Sequence, residues 1–313
     1  MKSLTLYNQS FIVLVHSFQG WLTTLGYAES TSSTLPNHLK EFFCYLESKG
    51  HEGIGFITTK LVSEYYHTHL SIRKNTRRGG ALGNRALNKH QQALKLFLKY
   101  LKEHGAKYNF GVHLRTEKAA TINVRDLLSQ DQVRQLFNAC DWSHISKKYQ
   151  LRDKAILVVL YACGLRRNEA IHININHVNF DKRELFVAKG KNYKSRFIPL
   201  NDFSLKILEE YIYDARPQFN KDTKTSDSLF LNKFGGRMLG KTFSDRLHKI
   251  IEATEDEIIM SKKITLHTLR HCLATHLLEK GMKLEDISRL LGHSSLESTQ
   301  IYVHLLDKLK EDE

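Results

Sequence analysis

Helical periodicity dominates the first 105 residues and restricts this part of the chain to a helical domain. Apolar side chains recur three and four residues apart, which places them on one face of an α-helix. Gly50, Gly79-Gly80 and Gly105 interrupt the pattern where helices would end. The pattern predicts a four-helix domain over residues 1–110. Its four stretches are Phe11 to Leu22, Leu39 to Gly50, Thr58 or Thr59 to the Arg77-Arg78-Gly79-Gly80 break, and Gly83 to Gly105.

The remainder of the chain has mixed character. Residues 111–126 show no period and are predicted to link two domains. Ser129 followed by Gln132 is a capping-box pattern that opens a second domain over 127–313. An apolar helix is predicted from Arg152 to Cys163, a strand hairpin over 183–200, and helices near 203–215, 241–253, 266–280 and 284–291. The expected fold class is mainly α with a small antiparallel β-sheet (α+β).

Charge indicates the partner. The chain has 47 basic and 33 acidic side chains, a net charge of +14 and a pI near 9.5. Residues 1–110 contribute +8 (14 basic, 6 acidic) and the rest +6 (33 basic, 27 acidic). Such a balance favours a polyanionic partner, above all nucleic acid, although a merely basic surface is the alternative. Two basic domains with a flexible join are expected to close around double-stranded DNA as a C-shaped clamp.

Cysteine spacing and hydropathy bear on location. The four cysteines, at positions 44, 140, 163 and 272, show no paired spacing, which fits a reducing compartment and neither a disulfide framework nor a four-cysteine zinc site. The longest apolar run, Ala155 to Leu165, is shorter than the ~20 residues that span a bilayer. We therefore expect a cytoplasmic protein without a membrane partner.

The polar side of the fourth predicted helix is a candidate DNA-reading face. Arg, Asn and Gln read base edges, and Lys finds phosphates. A solvated helix face is the alternative reading, but a basic cluster just upstream favours DNA. The predicted DNA-contacting residues are Arg73, Lys74, Arg77, Arg78, Arg85, Asn88, Lys89 and Gln92.

Candidate catalytic residues lie in the second domain. Arg166 follows the apolar helix in Gly164-Leu165-Arg166, and Glu169 is placed to fix its guanidinium for a phosphate or simply to pair with it. His267 and Arg270 share a helix face. His271 also lies on that side, but no Glu follows His267 and no third ligand is evident, so no metal is expected.

A tyrosine and a lysine complete the set. Tyr302 lies nine residues after His293. A free tyrosine, with a pKa of about 10, is a poor nucleophile unless a base and positive charge assist it, and this region supplies both. Lys189 lies at the tip of the hairpin; its glycine-lysine surroundings lack the spacing of a phosphate-binding P-loop.

Taken together, these strings resemble the tyrosine recombinase, or phage-integrase, family. The resemblance covers the second domain, about residues 127–310, through Gly-Leu-Arg, the hairpin lysine, His-x-x-Arg, Leu-Gly-His-Ser-Ser and Thr-Gln-Ile-Tyr. The first domain is similar, more weakly, to the family's helical core-binding (SAM-like) domain. The chain looks more like a simple recombinase, of the Xer kind or from a mobile element, than an arm-binding phage integrase. The family's catalytic set falls on Arg166, Lys189, His267, Arg270, His293 and Tyr302.

The resemblance implies site-specific DNA recombination without metal, ATP or cofactor. Tyr302 would attack the scissile phosphate and form a 3′-phosphotyrosyl link, and strand exchange would pass through a Holliday junction in a homo-tetramer on paired sites. A partner recombinase or accessory protein is possible. Dimer resolution, integration or excision of a mobile element, transposition and inversion all remain open. Lys191 and Lys194 are rivals of Lys189 as general acid.

Two other classes share part of this pattern. A type IB topoisomerase uses the same chemistry without a paired site, and a catalytically idle DNA-binding regulator needs no intact catalytic set.

The residues after Tyr302 give one more expectation. Leu305, Leu306 and Leu309 predict a short amphipathic segment that must dock on something, since it is too short to be stable alone. The resemblance implies a neighbouring protomer, and the chain's own domain is the alternative.

Overall fold

The computed structural model of the protein describes residues 4–75, 79–108, 110–118, 123–188, 195–219, 226–293 and 296–312, with backbone alone at 308 and 310–312. The chain divides into two compact units, Met1–Thr121 and Ile122–Glu313. Helices predominate, and the strands found in the described residues form one three-stranded antiparallel sheet. The predicted fold class is confirmed.

The N-terminal unit is helical around an aromatic core. Phe11 and Phe43 stack with ring centroids 4.5 Å apart, and Phe97 meets Phe43 edge-on at 5.4 Å. Three of the four predicted helices form as continuous elements. The third is interrupted by a π-helical turn, Tyr65–His69, which apolar periodicity does not reveal. The helices are α1 (Gln9–Thr24), α2 (Glu29–Ser48), α3 (Thr59–Glu64), α4 (Leu70–Ile72) and α5 (Asn84–Glu103).

The segment after α5, expected as part of a linker, packs along that helix as far as residue 118. The Asn88 amide donates to the carbonyl of Glu117 and accepts from its N–H, both at 2.8 Å. Gln91 donates to the Arg115 carbonyl at 2.8 Å. These bonds satisfy backbone groups that have no ladder partner. The compact N-terminal unit therefore extends beyond residue 110.

The C-terminal unit surrounds its sheet with helices. The predicted capping box of Ser129 and Gln132 is present. The two strands of the predicted hairpin pair, with Leu185 opposite Ile198, and the predicted turn between them lies outside the described residues. The elements are α6 (Gln130–Ala139), α7 (Lys147–Leu157), α8 (Arg167–His172), β1 (Val178–Asn179), β2 (Glu184–Val187), β3 (Arg196–Pro199), α9 (Asp202–Glu209), α10 (Gly240–Glu252), α11 (Glu257–Ser261), α12 (Leu266–Glu279), α13 (Leu284–Leu291) and α14 (Glu297–Asp312). Two π-helical turns, Val158–Ala162 and Glu210–Ala215, extend α7 and α9.

The C-terminal tail is longer and more regular than the sequence predicted. Tyr302 and Leu305 lie on one continuous helix, α14, and both are buried in the core of their own unit. Leu309 also packs against that core. The tail therefore docks in cis, which is the alternative that the sequence left open. Among the described residues, no helix has the length and apolar character required to cross a membrane.

The first prediction concerns this docking. Leu305→Ala should lower the free energy of unfolding by about 2–5 kcal/mol, because it leaves a cavity in a packed core. Val303→Ala, on the exposed side of the same helix, should change it by less than about 0.5 kcal/mol. Denaturant unfolding of both variants measures the difference, and equal stabilities would contradict docking in cis.

Candidate active site

The site is organised around the C-terminal end of α13. Gly292 ends this helix in the left-handed conformation, with φ 62° and ψ 50°. Its N–H bonds the Arg289 carbonyl, and the N–H of His293 bonds the Ser288 carbonyl. This closure occupies the earlier carbonyls and leaves those of Leu290, Leu291 and Gly292 for other donors. The end of a helix also carries partial negative charge, so it attracts cations.

Three arginines from three other elements occupy these carbonyls. Arg196, the first residue of β3, donates from Nε to the Leu290 carbonyl at 2.7 Å. Arg270 of α12 donates from Nη2 to the Leu291 carbonyl at 2.6 Å. Arg166, just before α8, donates to the carbonyls of Leu291 and Gly292, both at 3.2 Å. One helix end thus brings together guanidiniums that are far apart in sequence.

Glu169 supplies the countercharge. Its two oxygens accept from Nη1 and Nη2 of Arg196 at 3.0 and 2.9 Å, and one also accepts from Arg166 Nη1 at 3.1 Å. Burial raises the pKa of Glu169, but hydrogen bonds and charge from Arg196 and Arg166 outweigh burial, so the pKa lies below its usual value. The carboxylate is ionised at neutral pH. Three guanidiniums share one carboxylate, and the excess of positive charge suits an anion.

Gly164 sets the turn that precedes Arg166. Its φ is +61°, and a Cβ there would lie 2.8 Å from the side chains of both Leu273 and Leu291. Only glycine fits this backbone and this close approach. The turn also directs the Gly164 carbonyl to Nη1 of Arg270, at 2.6 Å.

Arg270 is the most deeply held of the three arginines. Its side chain is fully buried, and its Nε has no hydrogen-bond partner. Burial, with the nearby charge of Arg166, lowers the pKa of Arg270 to about 10. The guanidinium therefore stays charged at neutral pH and keeps one donor for a further acceptor.

Tyr302 lies beside two histidines at this cluster. Its ring is 6.1 Å from that of His293, nearly parallel, and 5.5 Å from that of His271. Burial raises the pKa of Tyr302. The positive charges of Arg270 and Arg166 lower it, but by less than burial raises it. His293 is fixed by a 2.7 Å hydrogen bond between its Nδ1 and the Thr299 hydroxyl. His267 lies on the exposed side of α12, 4.2 Å from the ring of His271.

The structure describes all but one of the predicted catalytic residues. Lys189 and its rivals Lys191 and Lys194 lie outside the described residues. Sequence reasoning did not select Arg196, which lies within the predicted hairpin over residues 183–200. Its signal is a charged side chain at an inward-facing strand position. His276 of α12 is buried between the Tyr161 hydroxyl and the Leu128 carbonyl, each 2.9 Å away.

The predicted DNA-contacting residues of the N-terminal unit differ in their surroundings. The Arg73 side chain is 20% exposed and forms an ion pair with Glu41. The amide of Asn88 is engaged by Glu117, as described above. Lys89 donates to Gln92 at 3.0 Å on the outer face of α5. Lys74 and Arg85 are exposed, and Arg77 and Arg78 lie outside the described residues.

The second prediction follows from the buried histidines. Burial, with the charges of His267 and Arg270, lowers the pKa of His271 from 6.5 to about 3. A ring with a lowered folded pKa contributes stability that is complete above pH 6.5 and is lost as the pH falls towards 3. For this one group the loss is at most about 1.4 kcal/mol per pH unit.

The comparison is between His271→Leu and His248→Leu, which replaces an exposed histidine. Denaturant unfolding between pH 7 and 4 should show a shallower acid-induced loss of stability for His271→Leu and an unchanged loss for His248→Leu. The same slope in both variants would contradict the role of His271.

Sequence comparison identifies relatives over most of the chain. The pattern of the phage integrase family matches residues 126–308. The tyrosine recombinase XerC of Natranaerobius thermophilus is 36% identical over 217 residues, 68% of this chain and 69% of that protein. The tyrosine recombinase XerD of Corynebacterium glutamicum is 33% identical over 311 residues, 93% of this chain and 94% of that protein.

Solved structures share the fold. The recombinase XerH, bound to its difH substrate before cleavage, gives a TM-score of 0.72 at 18% identity and covers 99% of this chain and 97% of that one. The integrase of transposon Tn1549, bound to transposon right-end DNA, gives a TM-score of 0.70 at 15% identity. This likeness covers 96% of this chain and 98% of that one. At these identities the likeness establishes the fold.

Proposed function

Because the chain belongs to the phage integrase family of tyrosine recombinases, we propose that it recombines double-stranded DNA at specific sites, with Tyr302 as the nucleophile. The observation that carries this proposal is the cluster at the end of α13. Arg166, Arg196 and Arg270 share Glu169 there, and the Tyr302 ring lies beside His293. The excess positive charge suits a phosphodiester, and a tyrosine held next to that charge suits attack on the phosphorus.

The proposed cleavage step is a transesterification. The Tyr302 oxygen forms a bond to phosphorus while the bond from phosphorus to the 5′ oxygen breaks. The products are a 3′-phosphotyrosyl link and a free 5′-hydroxyl. His267 helps to accept the tyrosine proton, and Lys189 donates a proton to the leaving oxygen. The link retains the bond energy, so attack by a partner strand needs no ATP.

The arginines stabilise the transition state in this scheme. Arg166 and Arg270 bind the two non-bridging oxygens, and His293 donates a further hydrogen bond to the phosphate. Glu169 acts as a positioning residue, because it holds Arg166 and Arg196 rather than the phosphate. In this scheme the guanidiniums stabilise the negative charge on the phosphate, which metal ions do in two-metal nucleases.

The proposed partner is double-stranded DNA that carries paired sites. The net charge of +14 supports binding to DNA, and XerH and the Tn1549 integrase were solved on DNA. We propose a two-domain arrangement of core-binding and catalytic domains that clamps the duplex, with recombination in a tetramer through a Holliday junction. The XerC and XerD relatives favour a Xer-like task such as chromosome dimer resolution. The structural likeness to the Tn1549 integrase makes integration of a mobile element the second candidate task.

A site-independent topoisomerase is the rival enzyme. It would relax supercoils without pairing sites, whereas a recombinase accumulates Holliday junctions when two sites are present. The flanking DNA of the gene is the natural source of test sites. Junctions trapped on such a fragment support recombination, and relaxation of any plasmid without junctions would overturn it.

The third prediction tests the nucleophile. Tyr302→Phe should bind site DNA with wild-type affinity and form no covalent adduct, because the attacking oxygen is gone while the arginines remain. Tyr213→Phe, which changes an exposed tyrosine, is the matched control and should form adduct normally. Denaturing gels of nicked suicide substrates measure the adduct, and a covalent band with Tyr302→Phe would refute the assignment.

The fourth prediction is that cleavage needs no metal. At saturating protein, single-turnover cleavage of a suicide substrate should keep its rate in excess EDTA, since arginines rather than cations stabilise the phosphate. The control is the same reaction with added Mg²⁺, which should not accelerate it. Complete loss in EDTA with recovery in Mg²⁺ would contradict the mechanism.

The fifth prediction identifies the general acid. Lys189→Ala should slow cleavage of ordinary DNA by about 100-fold or more, the range of one acid–base group. A 5′-bridging phosphorothiolate should restore the rate, because its sulfur leaves without a proton. Lys191→Ala and Lys194→Ala are the matched controls, and rescue confined to either of them would move the role to that lysine.

A further inference from the structure

A second cluster of chemically competent side chains lies in the N-terminal unit. His38 and Glu41 lie three residues apart on α2, and His90 faces them from α5. The ligand atoms of the three side chains all lie within 4.8 Å of one another. This is the only group of three or more histidine, cysteine or acidic side chains with that geometry among the described residues.

One donor atom of this cluster lacks a partner. The Nδ1 atom of His38 is buried without a hydrogen bond. Glu41 is 3% exposed, and one of its oxygens is ion-paired with Nε of Arg73. Its other oxygen faces Nε2 of His90 at 3.8 Å. A buried imidazole nitrogen without a partner costs free energy, which a ligand at this nitrogen would recover.

The orientation of His90 fits metal binding. Its Nδ1 lies 3.2 Å from the Tyr65 hydroxyl, and its Nε2 faces Glu41 at 3.8 Å from the second oxygen. Ligating histidines commonly use one nitrogen for the metal and the other for a hydrogen bond that fixes the ring.

We infer that His38, Glu41 and His90 form a binding site for a divalent transition-metal ion, with Zn²⁺ as the fitting ion. Two imidazoles and one carboxylate are an established zinc ligand set, and water completes the tetrahedron. Bonds of about 2.0–2.1 Å need roughly 3.4 Å between donors, so small side-chain rotations close the site. His38 is partly exposed, and the ion enters from that side.

The ion would tie α2 to α5 and compete with Arg73 for Glu41. An ion of charge +2 repels the guanidinium, so zinc binding weakens the hold of Glu41 on Arg73. His90 also lies between Lys89 and Gln92 on α5. If the proposed DNA binding is correct, zinc would both stiffen that helix and free Arg73 for a phosphate. The metal site itself does not depend on that function.

The test is zinc titration of the full, DNA-free chain after chelator treatment, followed by calorimetry, melting and Co²⁺ absorption. Wild-type protein should bind one tight equivalent, show a four-coordinate Co²⁺ spectrum, and melt about 5 °C higher at a 100-fold excess over Kd. His38→Ala should raise the Kd for zinc about 100-fold or more, and Glu41→Gln should do the same. His67→Ala replaces an exposed histidine of the same unit and should behave as wild type.

Arg73→Gln separates a metal site from a simple buried ion pair. Loss of the competing cation should tighten zinc binding about tenfold, whereas a chain without a site gains nothing. Should Glu41→Gln fail to fold, His38→Ala decides, because that ring is partly exposed. Zinc binding and melting that are the same in His38→Ala and wild type would overturn the site, as would a wild-type chain whose melting zinc leaves unchanged.

Discussion

The active site depends on how a helix end and one carboxylate hold three arginines. The carbonyls of Leu290, Leu291 and Gly292 are free because the left-handed Gly292 closes α13 on earlier carbonyls. A buried guanidinium is costly unless its donors are paired, and these carbonyls with Glu169 supply the partners. A Cβ at Gly292 would lie 2.7 Å from Nη1 of Arg196, so the glycine serves both the turn and the approach of the arginine.

This arrangement fixes the donors before any phosphate arrives. Arg166 precedes α8, Arg196 begins β3 and Arg270 lies in α12, so helices and a strand hold their backbones. Donors fixed in a site that excludes water stabilise developing charge without reorganisation during the reaction. Tyr302 benefits from the same charges, because Arg270 and Arg166 oppose the effect of burial on its pKa. Packing of α14 in cis holds the tyrosine at this cluster.

The sequence predicted the parts of the fold that follow from local pattern. Periodicity located α1, α2 and α5, and the capping box located the start of α6. Periodicity did not reveal the π-helical turn at Tyr65–His69, because the buried Val62, Tyr66 and Leu70 recur every four residues, a spacing that an α-helix also gives. The continuous α14 was also missed, because its stability comes from packing of Leu305 rather than from its own length.

Motif spacing likewise predicted the proposed reacting residues better than the residues that hold them in place. Arg166, Arg270, His293 and Tyr302 lie in strings whose residue types indicate phosphoryl transfer. Arg196 was missed because its role depends on β3 meeting the end of α13, a contact between distant parts of the chain. The cluster of His38, Glu41 and His90 was missed for the same reason: His90 fits the apolar face of its helix, and its partners lie on another helix.

Glu169 holds the arginines in the geometry that the proposed reaction needs. Glu169→Gln keeps the shape of the side chain and removes its charge, and Glu252→Gln is an exposed control. The most direct measurement is the single-turnover cleavage rate on a nicked site, taken with DNA affinity and melting on the same proteins. We expect the rate of Glu169→Gln to be lower by about 100-fold, in protein that is still folded and still binds DNA. A wild-type rate in that folded variant would contradict it.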